Sequence, residues 1–103
     1  MESVLTRYRS AFSALDVAAV QAIWPGVNAK ALGNAFDQLQ TQEFEFDSCQ
    51  VDAQGARANA VCVGTAQFVP KVGSKNVHIE SRRWTFRLAR IGGIWMMERV
   101  ESR

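Results

Sequence analysis

Residues 82–100 read RRWTFRLARIGGIWMMERV, and this stretch decides the fold. Gly92-Gly93 is a pair that favours a two-residue hairpin turn, so we expect a strand on either side of it. The pairs predicted across the hairpin are Leu88 with Met97, Arg90 with Trp95, Phe86 with Arg99 and Arg87 with Glu98. One face of the hairpin would then carry Trp84, Phe86, Leu88, Trp95 and Met97. Such a large apolar face has to be covered, most economically by helices from earlier in the chain.

Three helices are predicted before any strand. Apolar residues recur at helical spacing over residues 2–15, and Asp16 is placed to cap a second helix over residues 17–24. Asn28 is placed to cap a third helix that runs to about Leu39.

From Gln42 the apolar period changes to two, which predicts β-strands. A change of parity near Asp47-Ser48 indicates a bulge. A turn at Gln54-Gly55 would lead into a strand over residues 56–69, and residues 77–91 would form the next. The layout is α+β, with three helices packed on a curved, four-stranded antiparallel sheet.

Several segments resemble the nuclear transport factor 2-like (NTF2-like, or SnoaL-like) superfamily. They are residues 8–12, 15–17, 23–27, 55–58 and 93–98, which read YRSAF, LDV, IWPGV, GARA and GIWMME. The sequence is most similar to small bacterial members, including accessory domains of serine/threonine kinases. The resemblance covers nearly the whole chain and implies one cone-shaped domain over residues 1–103, with a pocket inside the cone and often a homodimer formed through the sheet.

The charged end of the third strand is the candidate pocket rim. His78, Glu80, Arg82 and Trp84 share one parity, and Arg99 is expected to reach the same face from the neighbouring strand. With Tyr8 from the first helix, these residues could bind an anionic or amphipathic small molecule or a peptide. The alternative interpretation is a solvated rim of compensating charges, since exposed ion pairs are common.

The reverse face of the hairpin is the candidate dimer interface. It mixes charged and large apolar side chains, which a fully solvated sheet face would carry less often. The residues assigned to it are Arg83, Arg87, Ile94 and Met96.

Enzymes of this superfamily, such as ketosteroid isomerases and polyketide cyclases, resemble the chain in fold but need a carboxylate base with a hydrogen-bond donor inside the cone. Tyr8 lies on an apolar helix stripe, and Asp16 is explained as a cap. We therefore expect a non-catalytic binding and dimerisation module, which holds a small molecule or peptide in the cone or serves as a sensory or assembly domain of a larger protein. The alternative is a small isomerase or cyclase of this superfamily.

Cys49 and Cys62 are the only cysteines. They are too few for a structural zinc site with the single His78, so no metal or other cofactor is predicted. Two buried thiols are the default expectation. Because the two residues flank a predicted hairpin turn, a disulfide is the alternative in an oxidising setting.

The composition of the chain limits which other classes of function are possible. The chain has 103 residues, 48% of them hydrophobic, and a net charge of +2. That hydrophobic content is ample for one core. No apolar run approaches the roughly 20 residues of a membrane span, and no secretion signal is recognised, so a cytoplasmic location is expected unless the domain is part of a larger anchored protein. The arginines of residues 82–103 are interrupted by glutamates and lack a nucleic-acid-binding motif.

Overall fold

The computed structural model describes residues 2–73 and 75–103, so Met1 and Ser74 lie outside it. Three helices precede four strands, in agreement with the predicted α+β layout. The helices are α1 (Glu2–Ser13), α2 (Val17–Ile23) and α3 (Ala29–Asp37). The strands are β1 (Leu39–Gln54), β2 (Arg57–Pro70), β3 (His78–Ile91) and β4 (Ile94–Ser102). They form one antiparallel sheet in the order β1-β2-β3-β4.

Both predicted helix caps are confirmed. The Asp16 carboxylate accepts a hydrogen bond from the Ala19 backbone N–H at 3.1 Å, and the Asn28 amide oxygen accepts one from Ala31 at 3.0 Å. Each bond satisfies a backbone donor that the first turn of a helix leaves free. Helix α1 ends two residues earlier than predicted because Leu15 has a left-handed backbone with φ of 52°.

We expect Asp16→Ala to lower the free energy of unfolding by about 1 kcal/mol, since the capping acceptor is lost. Asp16→Asn keeps the acceptor and should stay close to the wild type. Urea unfolding of both variants measures the difference, and equal stabilities would show that the cap does not stabilise α2.

The side chains that face the helices form the core, and we call this side of the sheet the inner face. Trp84, Phe86 and Leu88 on β3 and Met97 on β4 are buried there, and Trp95 is half-buried against them. Helix α1 covers them with Val4, Leu5, Tyr8, Ala11 and Phe12. The predicted core stripe is therefore confirmed.

The Gly92-Gly93 turn is also confirmed, since both glycines have positive φ (58° and 80°) and Ile91 pairs with Ile94. The register is as predicted as far as Leu88 opposite Met97. Beyond that point β4 contains a bulge, and Glu98 is skipped in the pairing.

The bulge makes two predicted pairs wrong. Phe86 lies opposite Val100 instead of Arg99, and Arg87 lies opposite Arg99 instead of Glu98. The extra residue reverses the parity of the last part of β4, because successive side chains point to opposite faces. Val100 therefore joins the core, and Glu98 pairs with Arg57 at 3.1 Å.

The expectation of two buried thiols is wrong. Cys49 lies directly opposite Cys62 on neighbouring strands, and the two sulfurs form a disulfide. The predicted bulge, which shifts the register between Phe46 and Ser48, places Cys49 on the inner face beside Cys62. Cys62 is fully buried, whereas Cys49 is exposed.

Candidate functional site

A short row of polar side chains lies on the inner face near the start of β3. Glu80 pairs with Ala66 and Arg82 with Gly64 on β2, so small side chains lie beside both charged groups. The Arg82 guanidinium contacts the Glu80 carboxylate at 2.8 Å. The arginine side chain is 27% exposed and the glutamate 50%, so the pair is partly screened by solvent and contributes little to stability.

Tyr8 faces this pair from α1 but belongs to the core. Its ring packs edge-on against Phe86, with centroids 5.0 Å apart, and lies 4.3 Å from the Phe12 ring. Burial raises the pKa of the Tyr8 phenol above its usual range, and the Arg82 charge opposes that shift. The hydroxyl therefore stays protonated at physiological pH and cannot act as a base.

Trp84 is the second buried member of the predicted rim. Its ring lies 4.9 Å from Phe46 and 5.1 Å from Phe44, and none of its surface is exposed. Among the described residues the indole Nε1 has no hydrogen-bond partner. An unpaired buried donor costs about 1–3 kcal/mol, so an acceptor that reached it would be held firmly.

The remaining predicted rim residues lie apart from Tyr8 and Trp84. His78 is exposed at the end of β3, where its ring stacks on Phe68 at 5.2 Å. Arg99 was expected on the inner face, but the β4 bulge places it on the opposite face, where it pairs with Glu101 at 2.8 Å. Of the predicted rim residues, Arg82 thus contacts Glu80 and lies close enough to Tyr8 to affect the pKa of its phenol, and Trp84 follows Arg82 on the same face of β3.

The inside of the fold is filled by aromatic and aliphatic side chains. Within residues 2–73 and 75–103, no charged or polar residue other than Tyr8 is buried in the core. The same residues hold no group of three or more metal-binding side chains. Asp16, which follows the first helix, is occupied as a cap. The described interior offers no carboxylate base.

The side of the sheet opposite the helices, which we call the outer face, carries the four residues predicted as a dimer interface. Arg83, Arg87, Ile94 and Met96 all point to it. Ile94 is 53% exposed, and Met96 is half-buried beside Ala89. On β2, Val61 and Val63 add an apolar strip at the middle of this face.

Opposite charges lie on either side of the valine strip. On β1 the outer face carries Glu43, Glu45 and Asp52, whereas on β3 it carries Arg83 and Arg87. Within the described chain none of these five side chains has an ion-pair partner, and Arg87 lies opposite another arginine, Arg99. This division was not predicted from the sequence, although the alternation of Glu43 and Glu45 with phenylalanines indicates the acidic side of it.

Comparison with solved structures identifies the fold. A proposed dehydratase of the NTF2-like family from Streptomyces avermitilis superimposes with a TM-score of 0.85 at 11% identity, over 98% of this chain and 90% of that one. An NTF2-like superfamily protein from Salmonella enterica gives 0.83 at 14% identity, over 98% and 85%. Hexachlorocyclohexane dehydrochlorinase LinA-type3 from Novosphingobium barchaimii gives 0.82 at 11% identity, over 99% and 82%.

No protein-family profile matches the sequence, and no curated protein matches it. The chain therefore has an NTF2-like fold, as predicted, and identities this low carry no activity across from the matched proteins. The resemblance to kinase accessory domains stays a prediction. No described helix is long and apolar enough to cross a membrane.

Proposed function

We propose that this chain is a non-catalytic module that self-associates through the outer face of its sheet. The observation that carries the proposal is the division of that face into an acidic half on β1 and a basic half on β3, both unpaired within the described chain. Such a surface is complementary to a second copy of itself.

A twofold axis parallel to the strands and passing over β2 would lay the acidic half of each copy over the basic half of the other. The strand order of the second copy would be reversed, so that each β1 faces the partner copy's β3. Asp52 and Arg87 lie in the same row of the sheet, on either side of Asn59, and would meet across the axis. Val61 and Val63 would pack against their own copies in the centre, which would remove their apolar surface from water.

The described interior supports a non-catalytic role over the enzymatic alternative. Isomerases and cyclases of this fold need a carboxylate that abstracts a proton next to a donor. Glu80 is the acid closest to the buried donors, and it is half-exposed and neutralised by Arg82. No observation on the described residues favours the enzyme.

Ligand binding at the mouth of the cone forms the second part of the proposal. The Arg82 guanidinium lies close enough to Tyr8 to influence the pKa of its phenol, and the Trp84 Nε1–H on the same face of β3 has no partner among the described residues, so these donors would suit a small anionic or amphipathic acceptor. None of these three residues lines the clefts of about 320 and 270 Å³, so a ligand would have to displace side chains, such as those of the Arg82–Glu80 pair, to reach the donors.

We expect Arg87→Glu to convert dimers to monomers, because it would place an acid opposite Asp52 of the second copy. Met96→Glu should weaken the dimer less, because Met96 lies on β4, beyond the strands that the second copy covers when the axis passes over β2. Light scattering after size-exclusion chromatography measures the mass, and circular dichroism checks the fold. Arg90→Glu is the matched control, since Arg90 lies on the same strand at the opposite parity, over the Trp95 ring at 5.7 Å.

A double variant makes this test sharper. Asp52→Arg combined with Arg87→Glu restores opposite charges across the proposed axis and should recover the dimer. A monomeric wild type, or variants that leave the dimer mass unchanged, would contradict the proposal.

The disulfide bears on the expected location. Disulfides persist mainly in oxidising compartments, and Cys49 and Cys62 are bonded. For this reason the cytoplasmic location expected from the sequence does not form part of the proposed function.

A further inference from the structure

A second surface feature lies on the helix side of the sheet, opposite the proposed dimer interface. Helix α1 and the inner face of β1 enclose a cleft of about 270 Å³. Phe46, Cys49 and Val51 line it from the strand, and Glu2 and Arg9 from the helix. One of the two disulfide sulfurs thus belongs to a residue that lines an open cleft.

The two ends of the disulfide differ in access. Cys49 is exposed, whereas Cys62 is fully buried on the inner face, between Cys49 on β1 and Trp84 on β3. A reagent in the cleft can therefore reach the bond only from the Cys49 side. The product of thiol–disulfide exchange depends on which sulfur an incoming thiolate can attack. Because only Cys49 is accessible, the incoming thiol would become attached to Cys49 and leave Cys62 as the free thiol.

The charge of the cleft favours an anionic reagent. The Arg9 guanidinium lies over the Phe46 ring at 5.4 Å from its centroid, and in the described chain it has no ion-pair partner. Glu2 contributes the opposing charge but lies nearly two helical turns away, at the start of α1. An unpaired guanidinium in the cleft that Cys49 also lines attracts thiolates and the carboxylates attached to them.

We propose that the cleft is a site of thiol–disulfide exchange, at which a small anionic thiol becomes covalently attached to Cys49. The incoming thiolate sulfur forms a bond with Cys49 Sγ while the Cys49–Cys62 bond breaks. The electron pair of the broken bond goes to Cys62 Sγ, which takes a proton from water. The thiol supplies both the nucleophile and the reducing equivalent of the step, so no other oxidant or reductant is needed.

The position of the attached group is the first test. The oxidised protein is incubated with reduced glutathione, quenched in acid, and then unfolded and alkylated with iodoacetamide. Peptide mass spectrometry should find glutathione on Cys49 and the alkyl group on Cys62. Glutathione on Cys62, equal amounts on both residues, or no adduct under conditions in which the bond is reduced would overturn the proposal.

The role of Arg9 is the second test. Arg9→Gln should slow the reaction with glutathione about threefold to tenfold at low salt, and leave the reaction with the cationic thiol cysteamine unchanged or faster. Arg7→Gln is the control on the same helix, because Arg7 lines a different groove, beside Ile94 and Trp95. If Arg9→Gln slowed the reactions of both thiols equally, or if Arg7→Gln slowed the glutathione reaction as much as Arg9→Gln did, the charge of Arg9 would not be what attracts the anionic thiol. Neither test depends on the oligomeric state.

Discussion

Gly64→Ala should lower the free energy of unfolding by about 3 kcal/mol, at the upper end of the usual cost of overpacking. A Cβ at this position would overlap the backbone carbonyl oxygen of Glu45 and would lie only 3.0 Å from the Phe46 Cα. The obstacle is main chain, so it cannot rotate away as a side chain would. The β1 bulge between Phe46 and Ser48 is directly opposite Gly64, and the two strands must therefore separate locally.

Urea unfolding followed by tryptophan fluorescence measures the loss. Gly33→Ala in α3 is the matched control, since a Cβ there meets only Val17 Cγ2 at an ordinary 3.8 Å. That variant should be neutral or up to about 1 kcal/mol more stable, because alanine is the better helix former. If both variants keep the stability of the wild type, β1 does not approach Gly64 as closely as the structure shows.

Removal of the disulfide is expected to have an effect of similar size. The Cys49→Ala/Cys62→Ala variant should be about 3 kcal/mol less stable, the value for a closed loop of about 15 residues, and here the sequence separation is 13. The bond restrains the unfolded chain, and in the folded state it holds β1 to β2 directly after the bulge. Hydrogen exchange should therefore increase most over residues 49–62.

The reduced wild type provides an internal control. Dithiothreitol should bring it close to the stability of the double variant and leave that variant unchanged. If the oxidised wild type and the double variant unfold at the same urea concentration, the disulfide does not stabilise the protein.

Much of the fold could be predicted because its signals are local. Asp16 and Asn28 cap helices through atoms three residues away, and Gly92-Gly93 forms its turn without help from the rest of the chain. The core stripe on β3 follows from strict alternation. The inner-face positions of Glu80 and Arg82 follow from the same rule.

The wrong predictions concern residues that follow a bulge, because one extra residue in a strand reverses the face to which the later side chains point. The β4 bulge at Glu98 moves Arg99 from the predicted rim to the outer face and brings Val100 into the core. No local pattern indicates this bulge. It allows Val100 to pack in the core and leaves Glu98 to reach Arg57, a residue 41 positions away.

The amino-acid sequence alone was sufficient for the order of helices and strands, the hairpin turn and the identity of the core face, since these depend on spacing over a few residues. Only the tertiary structure shows which residues of neighbouring strands lie opposite one another beyond a bulge. It decided that Cys49 meets Cys62, that Arg99 lies on the outer face, and that unpaired acids and arginines share one face. These outcomes depend on contacts between distant segments, and a shift of one residue changes all of them.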